Sequence, residues 1–176
     1  HLRQLSDKLQ ESFDKNTNSN TPIKVKAGEL IGRATSFDFS AHNEEVTLKG
    51  FVVPEHYQGE PWKIHTVDPF DYFKPEVKSV LLTKNMRSAE PLGGKIDYDI
   101  DGKLIGSWFE ENTNGYKGIK SPEYWVTHVS FSPNAIDPKH FIISLGNYSN
   151  YAKQFGAKTN SPDPKDVDVS LGLVKY

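Results

Sequence analysis

Hydrophobic residues in the first third of the chain recur first at helical spacing and then in short alternating runs. The spacing of the leucines in LRQLSDKLQESF predicts a short amphipathic helix, or a strand that runs into a helix. Three later runs alternate hydrophobic and polar residues, and such alternation predicts strands with one buried face. These predicted strands are residues 23–27, 36–42 and 45–54. Residues 55–69 have little periodicity and are predicted to form a loop.

The second half of the chain has a pattern of one helix followed by several strands. Residues 75–86 read PEVKSVLLTKNM, in which Pro75 suits a first helical turn and the hydrophobic residues follow one face. Strands are predicted at 94–100, 103–111, 124–132, 139–146 and 166–176. Asp101-Gly102 is typical of a type I′ turn between the first two of these strands. Residues 147–156 are predicted to form a helical turn.

These elements predict a mainly β protein with one connecting helix. Residues 1–74 and 90–176 are the two predicted β-rich domains, and residues 75–89 are the helix and linker between them. The closely spaced short strands of the second domain indicate a small antiparallel β-barrel or sandwich.

Composition and charge exclude several classes of protein. The 21 basic and 23 acidic residues give a net charge of -2, so the chain has no basic field for nucleic acid or an anionic membrane. The chain has no cysteine, which excludes disulfides and cysteine-based metal sites or nucleophiles. It has no run of about 18 apolar residues, so we predict no transmembrane segment.

Four motifs within residues 1–73 form an ordered set. They are HL at His1, VKAGELIG at Val25, SFDF at Ser36 and TVDPFDYF at Thr66. The set resembles the Tyr-x-His-Leu, Val-Lys-x-Gly-x-x-Ile-Gly, His-x-His-Phe and Val-x-Pro-x-x-Tyr-Leu motifs of lysostaphin-like zinc endopeptidases. These enzymes have a duplicated hybrid motif fold, a β-sandwich, and cut peptide bonds in bacterial cell walls. The resemblance implies the C-terminal part of such a domain, and because the chain begins at His1 we expect a processed or trimmed piece.

The resemblance also implies where a catalytic site would lie. A catalytic zinc needs three protein ligands and an open position for water. Asp38 falls where the family has a histidine ligand, and His1 matches another catalytic histidine. Ser36 falls on the first histidine of the His-x-His pair, and a serine hydroxyl cannot act as a general acid or base near neutral pH. The altered pair favours a catalytically degenerate domain over an active enzyme that binds zinc through Asp38.

Residues 43–65 are an insertion relative to the family and carry several aromatic and imidazole side chains. His56, Tyr57, Trp62 and His65 are candidate ligand-binding residues. An aromatic-rich loop beside a former active-site groove would bind a ligand or cover the groove. Packing of this loop over the core of the protein would explain the same residues equally well.

The sequence DYDIDG at residues 97–102 fits either the start of a calcium loop or one strand of a hairpin. A calcium loop of this type has a glutamate six residues after the glycine, where this chain has Trp108. In a strand, Asp97, Asp99 and Asp101 would line one wet face, while Tyr98 and Ile100 would be buried. The missing glutamate favours the hairpin.

The second predicted domain has further candidate chemistry. GSWF at Gly106 is similar to the Gly-x-Trp that opens lipocalin-like barrels, and its aromatic residues would enclose a small apolar ligand or simply form a core. We favour the core, because a barrel this small has little interior space. His128 and His140 lack partners at ligand spacing and are predicted to be surface or hydrogen-bonded residues. Asn147-Tyr148-Ser149 matches the glycosylation pattern, which matters only in an exported protein.

Taken with the resemblance, these residues predict a catalytically degenerate, peptidase-like domain that acts in binding or assembly at the cell surface or envelope. The implied partner is a cell-wall or surface polymer or a protein, and the implied location is extracellular or in the envelope. Two alternatives remain open. One is an active zinc metallopeptidase with Asp38 in place of a histidine, and the other is a small-ligand-binding β-barrel in the C-terminal half.

Overall fold

The computed structural model of this chain describes residues 2–7, 10, 24–36, 39–120 and 122–176. The chain divides into two compact units, His1–Phe39 and Ser40–Tyr176. These bounds differ from the predicted divisions at residues 74 and 90, which stay predictions about separately folding domains. No helix in the described part of the chain is long and apolar enough to cross a membrane.

The first unit contains a two-stranded antiparallel sheet. Strand β1 (Leu2–Leu5) pairs with β2 (Gly32–Ala34), and Asp7 and Gln10 have helical conformation. The prediction of a strand that runs into a helix is therefore confirmed for the described residues.

The predicted strand at 23–27 is wrong over its described part, 24–27. The backbone N–H of Lys26 donates to the Glu29 carboxylate at 2.7 Å, and the N–H of Glu29 donates to the Lys26 carbonyl at 3.0 Å. These bonds close a local turn around Gly28, whose φ of +79° lies in the left-handed region that favours glycine. The N–H groups of Lys26 and Glu29 are used within this turn and so are not available to a strand ladder.

The second unit begins with two very short paired strands and three 3-10 helices, two of which lie between the strands. Strand β3 (Ala41–His42) pairs with β4 (Thr66–Val67), so the described part of the predicted strand 36–42 is reduced to two residues. The 3-10 helices are Pro54–Tyr57, Pro61–His65 and Pro69–Tyr72. Each has proline in its first turn, where the fixed φ and the missing N–H of proline are tolerated. The predicted loop 55–69 is therefore mostly 3-10 helix.

The predicted strand 45–54 is not a strand, because its backbone bonds go to scattered partners. The N–H of Leu48 donates to the Ile64 carbonyl at 2.8 Å, whereas the N–H of Gly50 donates to the Asp97 carboxylate at 2.9 Å. A side-chain acceptor replaces the carbonyl that a neighbouring strand would supply.

The predicted helix is confirmed as α1 (Pro75–Leu82), which lies within the second unit. It ends four residues earlier than the predicted residue 86. The Thr83 hydroxyl donates to the Val80 carbonyl at 2.7 Å and so satisfies one acceptor of the last turn.

The largest element is a four-stranded antiparallel sheet of β5 (Gly106–Phe109), β6 (His128–Pro133), β7 (Phe141–Tyr148) and β8 (Tyr151–Gly156). The strands lie in sequence order, with β5 and β8 at the edges. The mainly β class is confirmed. The described strands do not close into a barrel, so the antiparallel element of the second half is an open sheet.

Three predictions within this region are wrong. Residues 94–100 and 166–176 form no strand, and residues 147–156 form the end of β7 and all of β8 rather than a helical turn. Ser149 and Asn150 have φ values of 52° and 71°, as the central residues of a type I′ hairpin turn require. The Asn147 side chain accepts a hydrogen bond from the Asn150 N–H at 3.0 Å and closes the turn.

The C-terminal segment takes the place of a strand beside β5. The N–H of Leu104 donates to the Val167 carbonyl at 2.9 Å, and the N–H of Ile105 donates to the Pro164 carbonyl at 3.2 Å. Ile105, Pro164 and Val167 are all buried. Apolar burial together with these backbone bonds holds the start of β5 in place.

Candidate functional site

The two residues that the resemblance places in a catalytic site, His1 and Asp38, lie outside the described residues, and Ser36 is exposed. No group of three or more His, Asp or Glu side chains within 2–7, 10, 24–36, 39–120 and 122–176 is arranged to hold a metal ion. The predicted zinc site therefore stays a prediction.

The four predicted ligand-binding residues of the insertion do not share one surface. Tyr57 is buried, and its ring packs against Phe51 with 4.4 Å between the ring centroids. His65 Nδ1 donates to the Val46 carbonyl at 2.7 Å and so ties the insertion together. The exposed ring of His56 lies edge-on to Phe109 at 5.4 Å.

Trp62, the fourth predicted residue, packs against His42 and Lys63. Its ring lies 4.8 Å from the ring of His42, and the ammonium of Lys63 lies 4.3 Å from its centroid. Lys63 also lies 4.5 Å from the ring centre of Tyr116 and forms an ion pair with Glu60 at 3.2 Å. Cation–π contacts and an ion pair thus hold the Lys63 ammonium between two aromatic rings.

A groove of about 660 Å³ lies over one face of the four-stranded sheet. Its volume is in the range of sites that bind small molecules. The polar lining residues are Ser107, His128, Ser130, Ser132, Ser144 and Gln154. The aromatic lining residues are Phe51, Tyr57, Phe109, Tyr116 and Trp125. We call this feature the sheet groove.

A row of short polar side chains crosses the floor of the sheet groove. Ser107 pairs with Ser130, Ser130 with Ser144, and Ser144 with Gln154, so the row has one residue on each of the four strands. Directly opposed residues of antiparallel strands point to the same face. We call these four residues the polar row. The serines are half-buried and Gln154 is exposed.

Aromatic rings pack closely at one end of the sheet groove. Tyr57 and Phe109 lie edge-on at 5.7 Å, and Tyr57 stacks on Tyr116 at the same centroid distance. The hydroxyls of Tyr116 and Tyr124 are 3.2 Å apart. Such edge-on and offset contacts are the favoured geometries of aromatic pairs, so these rings form a well-packed wall of the groove.

His128, which the sequence predicts to be a surface or hydrogen-bonded residue, lies among these rings. Its ring is 4.9 Å from that of Phe109 and 5.2 Å from that of Tyr116. The buried Nε2 atom has no hydrogen-bond partner within the described part of the chain. Burial lowers the pKa of His128, and hydrogen bonding to the backbone of Gly115 and Tyr116 acts in the opposite direction. The alternation of His128 with Ser130 and Ser132 was the signal that this imidazole faces the groove.

The tyrosines of the wall are uncharged at neutral pH. Burial raises the pKa of Tyr57 to about 12, and the side-chain hydrogen bond with Tyr116 is the largest cause that raises the pKa of Tyr124 to about 12. The only charged residues that line the groove within the described chain are Lys63 and Lys153. The groove therefore offers neutral hydrogen-bonding groups and aromatic faces, with ammonium groups at its edge and no carboxylate.

Asp97 and Asp99 hold the loop that carries Phe51 against the sheet. They do not form the solvent-exposed strand face that the sequence predicts. Asp97 is buried and accepts hydrogen bonds from Gly50 N–H at 2.9 Å and Lys95 Nζ at 2.5 Å. Asp99 accepts from the N–H of Ser107 at 2.9 Å and from that of Val52 at 3.3 Å.

The predicted orientation is therefore wrong at Asp97, which is buried, and at Ile100, which is 45% exposed, whereas Asp101 is exposed as predicted. Backbone N–H groups of a neighbouring loop attract the two carboxylates inward. Asp101-Gly102 does form a turn, in which the N–H of Lys103 donates to the Ile100 carbonyl, but its flanks do not pair as a hairpin.

Only part of the expected aromatic core of the second half is buried. Phe141 is buried and stacks between Phe131 and Tyr176, with centroid distances of 6.5 and 6.3 Å. Trp108 is 48% exposed and Trp125 is 38% exposed. Trp125 thus presents apolar surface to the groove instead of filling a core.

No family model, curated protein or solved structure matches this chain. The function of the chain must therefore be inferred from the chemistry of the sheet groove and from the residues of the sequence itself.

Proposed function

We propose that this protein is a non-catalytic binding domain and that the sheet groove is its binding surface. The single observation that carries this proposal is an open groove of about 660 Å³ with aromatic walls and the polar row on its floor. Ligand sites usually combine apolar and aromatic surface with a few placed polar groups.

The side chains of the groove support binding better than they support catalysis. A serine nucleophile needs a base within hydrogen-bonding distance of its hydroxyl. The buried Nε2 of His128 has no such partner among the described residues, so His128 Nε2 does not activate a serine of the groove. Tyrosine phenols with raised pKa values act as neutral hydrogen-bonding groups near pH 7.

The resemblance to lysostaphin-like peptidases supplies the proposed setting, which is a catalytically degenerate domain at the cell surface or envelope. In this proposal the partner is a polymer of the cell wall or surface. Ser36 at the position of a family histidine is the residue that favours loss of catalysis.

Co-sedimentation of the full chain with insoluble bacterial sacculi, the purified peptidoglycan of the cell wall, tests this proposal. We expect the chain to sediment with the sacculi and to release no new amino groups from them. Trp125→Ala should weaken this binding, because it removes aromatic surface from the groove. Trp108→Ala is a matched control, since Trp108 is 48% exposed and does not line the sheet groove.

Two results would contradict the proposal. Loss of binding in the Trp108→Ala protein but not in Trp125→Ala would place the site outside the sheet groove. Stoichiometric zinc that disappears in Asp38→Ala, together with hydrolysis of the sacculi, would establish the metallopeptidase alternative.

A further inference from the structure

The polar row has a geometry that narrows the chemistry of the ligand. Its four side chains are separated by three inter-strand spacings of about 4.8 Å, which gives a row about 14 Å long. The row crosses the strands at a right angle to their length, on the face that carries the groove. A ligand that contacts the whole row must therefore be elongated.

The row also has free hydrogen-bonding capacity. The Ser130 hydroxyl donates to the Ser132 hydroxyl at 3.5 Å and can still accept a bond. The side chains of Ser144 and Gln154 make no hydrogen bond to other groups in the described part of the chain. Serine hydroxyls and the glutamine amide both donate and accept hydrogen bonds. The polar row therefore matches a ligand that carries both donors and acceptors along its length.

The charges of the groove disfavour several other ligands. No carboxylate lines the groove in the described chain, so a cationic ligand has no counter-charge there. An apolar chain would cover the half-buried serines without replacing their bonds to water, which costs free energy for each hydroxyl. An anionic ligand would have to rely on the two lysines that line the groove in the described chain. One of them, Lys63, is already engaged by Glu60 and by two aromatic rings.

We infer that the sheet groove binds an oligosaccharide, which lies across the strands with its hydroxyls on the polar row and a ring face against the partly exposed Trp125. Sugar rings combine hydroxyls at their edges with C–H groups on their faces, and this is the combination that the groove complements. The inference rests on the proposed function and names the ligand class of the same site.

Isothermal titration of the full chain with neutral tetrasaccharides tests the inference. The probes are the tetramers of N-acetylglucosamine, glucose and mannose, with tetra-alanine and palmitate as non-saccharide probes. We expect binding of at least one tetrasaccharide at millimolar concentration or below. Ser130→Ala and Ser144→Ala should each weaken that binding about tenfold, since a lost hydrogen bond is worth about 1 to 1.5 kcal/mol. Ser79→Ala, on the exposed surface of α1, should leave the affinity unchanged.

The outcomes separate the ligand class from the site. If tetra-alanine or palmitate binds and Trp125→Ala weakens that binding, while no tetrasaccharide binds, the inference is wrong and the groove remains the site. If a tetrasaccharide binds equally well to the wild type, Ser130→Ala and Ser144→Ala, the polar row is not its binding surface. If no probe binds and the chain also fails to sediment with sacculi, both the inference and the proposed function are wrong.

Discussion

At the scale of single residues, Asp97 links two distant segments through its carboxylate. It accepts bonds from Gly50 N–H and Lys95 Nζ while its side chain is only 8% exposed. Asp97→Asn places an amide N–H₂ against one of these two donors. We expect the free energy of unfolding to fall by about 1 to 3 kcal/mol, as measured by urea denaturation. Asp101→Asn is the control, because Asp101 is exposed in the turn, and it should change stability by less than about 0.5 kcal/mol. Equal effects of the two substitutions would contradict the role given to Asp97.

His128 gives the protein a predicted dependence of stability on pH. The pKa of His128 is lowered by burial in the folded state, whereas an unfolded histidine titrates near about 6.5. The stabilising contribution of the neutral ring is therefore fully present above that pH and is lost as the pH falls through the lower folded-state pKa.

Denaturation of the wild type and His128→Gln at pH 7.5 and 5.5 measures this contribution. We expect the wild type to lose more stability than His128→Gln between about pH 7.5 and 5.5. His42→Gln controls for the general loss of an imidazole, since the exposed His42 ring contacts the neutral side chains of Ser40 and Trp62. Identical losses in the wild type and His128→Gln would show that His128 does not titrate differently in the folded state.

At the scale of elements, the groove depends on a close approach between β7 and the 3-10 helix Tyr124–Thr127. A Cβ atom at Gly146 would overlap the backbone carbonyl of Trp125. Gly146→Ala must therefore push the 3-10 helix, and with it Trp125, away from β7. We expect it to cost about 1 to 3 kcal/mol or more in a urea denaturation experiment.

Gly156→Ala is the matched control within the same sheet. A Cβ atom at Gly156 would meet no atom within 4 Å. We expect this variant to unfold within about 0.5 kcal/mol of the wild type. If Gly146→Ala were equally harmless, the close approach of β7 to the 3-10 helix would be wrong.

The sequence predicted some of these elements well and others poorly, for identifiable physical reasons. The helix begins at Pro75, which suits a first helical turn, and strands β5, β6 and β7 are rich in aromatic and β-branched residues. The local sequence therefore predicts these elements, even though Val77 and Val80 of the helix are exposed. Strand β8 was mistaken for a helical turn because its hairpin uses Ser149-Asn150, a less typical pair than Asn-Gly.

At the scale of the whole molecule, sequence alone could not assemble the site. The polar row joins Ser107, Ser130, Ser144 and Gln154, and only the register of four strands brings them together. Alternation predicts which face a serine occupies, but it does not predict which strands are neighbours. The burial of the Asp97 carboxylate likewise depends on the backbone N–H of Gly50, which is 47 residues away in the sequence.

Binding through the sheet groove is the central claim, and amide chemical-shift mapping tests it most directly. The full chain, labelled with ¹⁵N, would be titrated with soluble fragments of digested sacculi, which contain both sugars and peptides. We predict that the shifted amides cluster on β5–β8 around Ser107, Ser130 and Ser144 and in the 3-10 helix that carries Trp125. Shifts confined to the insertion around Trp62 and His65, or no shifts at saturating fragment concentration, would contradict the claim.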